Sequence, residues 1–135
     1  MTLLEAALAI LCRTHAPACV AAVTEAVPLV ADTAAAHGVD PVLAVAVCTQ
    51  ESRLLTRPAQ SLCGTYRTRD PEASAAVAAH ALARWRRRCD SVDSALLVYH
   101  YGRGCDALDP DGYVHQVRAI ERRLRCAMAS GRRCW

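Results

Sequence analysis

Apolar residues recur along this chain at the spacing of amphipathic helices, and the alternation typical of strands is nearly absent. One such stripe runs through Leu4, Leu8 and Leu11. Pro28 lies inside the next apolar stretch, where we expect it to kink or divide a helix near Val27. The pattern predicts helices over residues 2–13, 19–37, 40–52, 70–88, 91–101 and 110–125. The fold class is therefore all-α, with five to seven helices.

Residues 38–53 form the most informative of these segments. Asp40 can cap the first free amides of a helix, and Pro41 suits its first turn. The six residues that follow are all apolar, which indicates a helix buried on nearly all sides. Glu51 lies four residues after Val47 and eight after Leu43, so it shares their face. We expect burial and the helix dipole to raise the pKa of Glu51 toward the range of a proton donor. The alternative is that Glu51 marks only the point where the helix reaches water.

Length and charge limit the possible classes of protein. The chain has 135 residues, of which 53% are hydrophobic, and this is enough for one domain with its own core. The formal charge is +3, and all 16 basic residues are arginine. Arginine clusters on helices are more often solvated faces than nucleic-acid sites, so we expect no nucleic-acid partner. Asp90 and Asp109 are expected to cap the last two helices.

Eight cysteines in so short a chain indicate disulfides formed in an oxidising compartment. No C-x-x-C pair occurs, which disfavours a zinc site. Cys12–Cys19 and Cys126–Cys134 are plausible local bridges. Cys89 and Cys105 flank a helix of about ten residues, which spans ~15 Å, whereas bridged Cα atoms lie within roughly 7 Å. That pair is therefore expected not to form, and buried free thiols are the alternative for some cysteines. The full set is Cys12, Cys19, Cys48, Cys63, Cys89, Cys105, Cys126 and Cys134.

The N-terminus gives a mixed indication of localisation. Residues 1–12 lack a basic start and contain Glu5, so they are a poor signal peptide, and their apolar run is too short to span a bilayer. We expect no stable membrane insertion. Either a signal has been removed and Met1 added, or the protein leaves the cell by another route, such as inside a phage particle. The expected location is extracytoplasmic (periplasmic or secreted) or virion-associated.

Residues 38–53 resemble the catalytic helix of the SLT-type lytic transglycosylases, a branch of the lysozyme-like superfamily. The resemblance lies in the Asp40-Pro41 start of the segment and in its Glu51-Ser52 end. Further similar segments follow in the same order, over roughly residues 35–125. They are Ser61-Leu62-Cys63-Gly64, Asp70-Pro71, the ALLVYHYGRG stretch with Tyr99, His100, Gly102 and Gly104, and finally Tyr113 with Val117. The resemblance implies a single lysozyme-like domain with N-terminal helices over residues 1–37, a catalytic core over 38–125 and a tail over 126–135.

Two departures from the family pattern concern substrate positioning. The family follows its Ser-x-x-Gly loop with Gly-Leu-Met-Gln, whereas Gly64 here runs into Thr65-Tyr66-Arg67. His100 replaces the family's Asn, and a histidine can both donate a hydrogen bond and titrate.

The resemblance also implies an activity, namely cleavage of peptidoglycan glycan strands between N-acetylmuramic acid and N-acetylglucosamine. Glu51 would serve as the catalytic acid and base and would close a 1,6-anhydro ring, with no metal or cofactor. Ser52 would support Glu51 or the nearby loop. Tyr99 would orient Glu51 or the acetamido group, and Tyr113 would line the groove, with core packing as the alternative for both. The implied substrate-binding set is Ser52, Ser61, Gly64, Tyr66, Tyr99, His100, Gly102 and Tyr113.

The remaining cysteines, three aspartates and both tryptophans are expected to have structural roles. The resemblance brings the Cys63 and Cys105 loops to one cleft, which suggests a bridge between them and leaves Cys48 with Cys89. Asp106, Asp109 and Asp111 are expected to be turn and cap residues rather than a second catalytic carboxylate. Trp85 and Trp135 are expected to be packing residues.

Two rival functions stay open at this point. A hydrolytic lysozyme of the same fold would leave reducing ends rather than anhydro ends. A structural or glycan-binding protein, for instance a virion component, would keep the fold without cutting.

Overall fold

The structure is a computed structural model, and it describes residues 1–56, 61–64, 68–132 and 134. This part of the chain is all-helical, as the sequence predicts, and it contains no strand. The helices are α1 (Leu3–Leu11), α2 (Pro17–Ala36), α3 (Pro41–Ser52), a short 3-10 helix (Arg53–Leu55), α4 (Pro71–Arg88), α5 (Val92–Tyr101) and α6 (Tyr113–Ser130).

The ends of the helices follow the capping chemistry of the sequence. The side chain of Asp40 accepts a hydrogen bond from Val42 N at 2.9 Å, and Pro41 occupies the first turn of α3. Asp70 caps α4 in the same way. The prediction for Asp90 is wrong, because Ser91 is the N-cap of α5 and its hydroxyl accepts from Ser94 N. A hydroxyl one residue closer to the helix reaches its free amides directly.

Two further helix predictions need correction. Pro28 does not divide α2, which runs without a break from Pro17 to Ala36. Both Pro28 and Thr24, whose carbonyl loses its donor at the proline, are exposed, so water can solvate that carbonyl. The last helix begins at Tyr113 rather than at residue 110, and it extends to Ser130. The N-cap of α6 is Gly112 rather than Asp109, but the Asp109 carboxylate still satisfies the first amides of the helix, accepting from Tyr113 N and Val114 N at 2.9 and 3.0 Å.

Helix α3 lies at the centre of the fold. Its residues from Val42 to Thr49 are all buried, and it packs against α2 on one side and α6 on the other. Arg125 on α6 pairs with Asp40 at the start of α3 and, at 2.9 Å, with Glu121. The core and this ion-pair network fix the axis of α3, so the end of the helix, where Glu51 lies, has a defined position.

Four disulfides close the structure, which fits an oxidising compartment. Cys12–Cys19 and Cys126–Cys134 are confirmed. The expected Cys63–Cys105 and Cys48–Cys89 pairs are wrong, since Cys48 bonds Cys63 and Cys89 bonds Cys105.

The exclusion of Cys89–Cys105 fails for a geometric reason. The expectation equated the separation of the cysteines with the length of the helix between them. Gly102 ends α5 in the left-handed conformation, and the residues outside the helix can each span up to ~3.5 Å. These residues bring the two Cα atoms to 5.6 Å from each other.

Among the described residues, α2 is long and apolar enough to cross a membrane by length and composition alone. In the fold it packs against α1, α3 and α4 and buries Val23, Val27 and Val30 in the core.

Candidate active site

Glu51 lies in the last turn of α3, at the rim of the core. Its side chain is 18% exposed. Burial raises the pKa of the Glu51 carboxyl above its ordinary value, and the Tyr113 hydroxyl and the His100 imidazole offset this only in part. The helix therefore ends in a carboxyl group that holds its proton more tightly than a surface glutamate does.

The carboxyl group opens into a groove of about 400 Å³, a volume within the range of small-molecule sites. The groove has a polar side from α3 and α5 and an apolar side from α4. Among the described residues that line it, Glu51 is the only carboxylate. The lining residues are Glu51, Gly64, Val77, Ala81, Trp85, Val98, Tyr99 and His100.

The loop ending at Gly64 passes directly beside Glu51. Gly64 has a φ of +71°, which favours glycine. A Cβ atom at this position would lie 2.9 Å from Glu51 Cγ and closer still to the carboxylate. The absence of a side chain at position 64 is thus what allows the backbone to form one wall around the acid.

Four interactions within the described part of this loop hold it in place. Ser52 Oγ donates to Leu62 O at 2.5 Å, and Tyr99 Oη donates to Cys63 O at 2.5 Å. The buried Ser74 Oγ on α4 accepts from Cys63 N at 3.0 Å. The Cys48–Cys63 disulfide joins the loop to the turn of α3 that precedes Glu51. The loop is therefore held by α3, α4 and α5 together.

His100 lines the groove on the side nearest α6, whereas Tyr113 is buried in the core and is not among the described residues that line the groove. The two rings are stacked, with centroids 4.0 Å apart and an interplanar angle of 5°. His100 Nδ1 is 3.9 Å from Glu51 Oε1, and His100 Nε2 is 3.4 Å from Asp111 Oδ2. Tyr113 Oη is buried beside Glu51, yet no atom among the described residues makes a hydrogen bond of good geometry with it. Burial raises the pKa of both Tyr99 and Tyr113, so both hydroxyls keep their protons.

The structure places the other residues of the predicted site as follows. Ser61 Oγ lies 2.8 Å from Ser74 Oγ, behind the loop rather than in the groove. Gly102 ends α5 with a φ of +68° and is not among the described residues that line the groove. Tyr66 lies outside the described residues, as does Trp135. Tyr99 lines the groove with its ring while its hydroxyl binds the loop.

Sequence reasoning missed two features of the site. Trp85 lines the groove together with Val77 and Ala81, and the guanidinium groups of Arg84 and Arg88 lie 5.4 and 5.6 Å from its ring. The i, i+4, i+8 spacing of these three residues was a usable signal for a shared face. Ser74 gave no such signal, because a lone serine in an alanine-rich helix has no recognisable pattern.

No protein-family model, curated protein or solved structure matches the chain. Within the described residues, no cluster of three or more His, Cys, Asp or Glu side chains is arranged to hold a metal ion. The chemistry that the arrangement itself offers is proton donation and acceptance at Glu51, beside tyrosine hydroxyls and an aromatic surface.

Proposed function

We propose that the protein cleaves the glycan strands of peptidoglycan between N-acetylmuramic acid and N-acetylglucosamine, as a lytic transglycosylase with Glu51 as its catalytic residue. The main support is the Glu51 carboxyl itself, which is largely buried, has a raised pKa and faces a groove. A carboxyl group that holds its proton more tightly than a surface glutamate does is better suited to donate it to a glycosidic oxygen.

The lining of the groove supports a sugar as the substrate. Trp85 contributes an aromatic ring to this lining, and such a ring suits the C–H face of a pyranose, while Glu51 and His100 contribute polar groups. Tyr99 and Gly64 complete the wall around the acid. These features are typical of a site that orients a sugar by its ring face and by a few hydrogen bonds.

The single carboxylate favours the transglycosylase reaction. Glycosidases with two carboxylates need a second acidic group across the bond. Among the described residues that line the groove, Glu51 is the only carboxylate. In the proposed reaction, protonated Glu51 donates to the leaving oxygen and the substrate acetamido group steadies the positive charge. Glu51 then takes the proton of the muramyl 6-hydroxyl as that oxygen bonds to C1, which closes the 1,6-anhydro ring. This sequence returns the proton to Glu51.

The proposal places the protein outside the cytoplasm, in the periplasm, in the surrounding medium or within a virion. A protein in any of these places can reach the peptidoglycan of a cell wall, and the four disulfides fit an oxidising environment.

The test is mass spectrometry of the products released from purified sacculi by the wild type and by Glu51→Gln. We expect anhydro-muropeptides from the wild type and none from Glu51→Gln, with the circular dichroism spectrum unchanged. Glu25→Gln is the matched control, because Glu25 is exposed on α2, and it should act as the wild type does. Products with reducing ends would indicate hydrolysis of the same bond instead. Full release by Glu51→Gln would refute the role of Glu51.

A further inference from the structure

Two arginines lie beside the aromatic part of the groove. Arg84 and Arg88, near the end of α4, place their guanidinium carbons 5.4 and 5.6 Å from the centroid of the Trp85 ring. Trp85 itself lines the groove. Both arginines are exposed, so their positive charges lie at the edge of the groove, within reach of a molecule bound there.

These two cations differ from the paired arginines of α6. Arg118 and Arg125 each form an ion pair with Glu121. Within the described part of the chain, neither Arg84 nor Arg88 pairs with a carboxylate. An indole ring has no strong hydrogen-bond acceptor, so contact with it leaves the N–H donors of each guanidinium available to an anion.

The structural alternative is that arginines near the end of a helix only serve its last carbonyls and its dipole. Arg86 does serve the helix end, because its Nη1 donates to Cys89 O at 3.4 Å. Arg86 and Arg87 also line a different depression of the surface. Arg84 and Arg88 instead lie over the ring of a groove residue, which associates them with the groove.

We propose that Arg84 and Arg88 bind a carboxylate that the glycan carries on its sugars, and that they select an anionic glycan over a neutral one. The identity of this glycan rests on the function proposed above. In peptidoglycan each muramic acid bears a lactyl group, whose carboxyl is either free or linked to a peptide with carboxylates of its own. Both forms present the same chemistry to a guanidinium, and the experiment separates them.

The distribution of charge around the groove supports this inference. A guanidinium matches a carboxylate with parallel N–H donors, which makes arginine suited to such a ligand. Among the described lining residues the only carboxylate is Glu51, which belongs to α3, whereas both arginines belong to α4. An anionic group on the α4 side therefore meets positive charge. Because Arg84 and Arg88 would hold a group that does not react, their loss should raise KM more than it lowers kcat.

The experiment measures binding by calorimetry in the Glu51→Gln protein, in which the proposed reaction cannot consume the ligand. The ligands are peptide-free peptidoglycan strands, soluble fragments that keep their peptides, and neutral chitin oligosaccharides. Adding Arg84→Gln and Arg88→Gln should weaken binding of both anionic ligands roughly 5- to 30-fold, as expected for the loss of two exposed ion pairs. Binding of chitin oligosaccharides should not change. Weaker binding of the peptide-bearing fragments alone would assign the arginines to the peptide carboxylates.

The matched control adds Arg86→Gln and Arg87→Gln instead, which removes the same charge from the same end of α4. This protein should bind all three ligands as the Glu51→Gln parent does. Equal losses in the two arginine variants would mean a general attraction to positive charge and would overturn the inference. An equal loss for chitin oligosaccharides would do the same, because it would show that the groove had changed shape. Circular dichroism checks the fold, and Arg88→Gln alone is the milder variant.

These measurements keep the inference separate from the proposed function. If anionic glycans bind through Arg84 and Arg88 while the wild type releases no muropeptide, the inference stands and the catalytic function fails. If Glu51→Gln abolishes release but the arginine variant binds as its parent does, the function stands and the inference fails. Binding of none of the three ligands would overturn both. Duplex DNA that binds more tightly than peptide-free strands, and loses its binding in the same variant, would overturn the assignment to a glycan.

Discussion

Gly64 lies so close to the carboxylate of Glu51 that position 64 has no room for a side chain. The backbone at Gly64 is also in the left-handed region, with a φ of +71°. Two independent reasons thus require glycine here, one conformational and one steric. The steric reason alone concerns the acid, because a Cβ at this position would displace the carboxyl group from the loop that encloses it.

Gly64→Ala should therefore lower activity far more than its cost in stability suggests. A displaced carboxyl group can lower the rate on the order of 10- to 100-fold, since reacting groups tolerate little misplacement, while the left-handed conformation costs about 1–2 kcal/mol. Gly38→Ala is the control, because Gly38 has the same φ of +71° and open space around it. Urea unfolding should show similar losses of stability for both variants. Muropeptide release should be lost only in Gly64→Ala. Equal activity in the two variants would contradict the steric argument.

Ser74 and Tyr99 bind the two backbone polar groups of one residue, the N–H and the C=O of Cys63. Each of the variants Ser74→Ala and Tyr99→Phe leaves one buried backbone group without its partner, which should cost about 1–3 kcal/mol in urea unfolding. Because both residues act on Cys63, we expect the double variant to depart from additivity by about 0.5 kcal/mol or more. Thr2→Ala, which removes the cap of α1, should combine additively with Ser74→Ala. Additive costs for Ser74 and Tyr99 would mean that the loop is not held as a unit.

The sequence predicted the parts of this site that depend on local chemistry. Asp40, Pro41 and the apolar run after them predicted a buried helix that ends at Glu51, because capping and periodicity act over a few residues. The role of Ser74 and the groove position of Trp85 depend on which helix faces α3, and that is set by tertiary packing.

The cysteine pairs show the same difference between local and tertiary information. Cys12–Cys19 and Cys126–Cys134 are close in sequence and could be predicted from spacing. Cys48–Cys63 and Cys89–Cys105 depend on how the chain returns after α3 and after α5. A helix length predicts the separation of helix ends, and it says nothing about the course of the residues beyond them.

The raised pKa of Glu51 has a consequence for stability that does not depend on the proposed function. A folded state that raises the pKa of a carboxyl binds its proton more tightly than the unfolded state does, so stability falls as the pH rises from the ordinary value of 4.5 through the folded value. Glu51→Gln removes this cost. It should be more stable than the wild type at neutral pH, and the difference should shrink to nothing in acid.

The measurement is the free energy of urea unfolding of both proteins across that pH range. Glu25→Gln is the control, since Glu25 is exposed and should give a difference near zero throughout. A wild type that is more stable than Glu51→Gln at neutral pH would mean that the ionised carboxylate is stabilised by the fold, and the proton-donor role would lose its physical basis.

The Cys48–Cys63 bridge ties the Gly64 loop to the helix that carries Glu51, so its removal should affect both stability and activity. It is buried, and it closes a loop with a sequence separation of 15, which corresponds to about 3 kcal/mol in chain entropy. The Cys48→Ala, Cys63→Ala double variant should lose roughly that amount of stability. It should also release muropeptides more slowly, because the described part of the loop beside Glu51 is then held by hydrogen bonds without a covalent link.

The Cys12→Ala, Cys19→Ala double variant is the control. It removes a bridge of separation 7 far along the chain from Glu51, and it should lose stability while keeping the rate of muropeptide release per folded molecule. Peptide mapping of the non-reduced wild type should first show Cys48 joined to Cys63. A rate per folded molecule that is equal in the two double variants would show that the bridge stabilises the fold without positioning the loop.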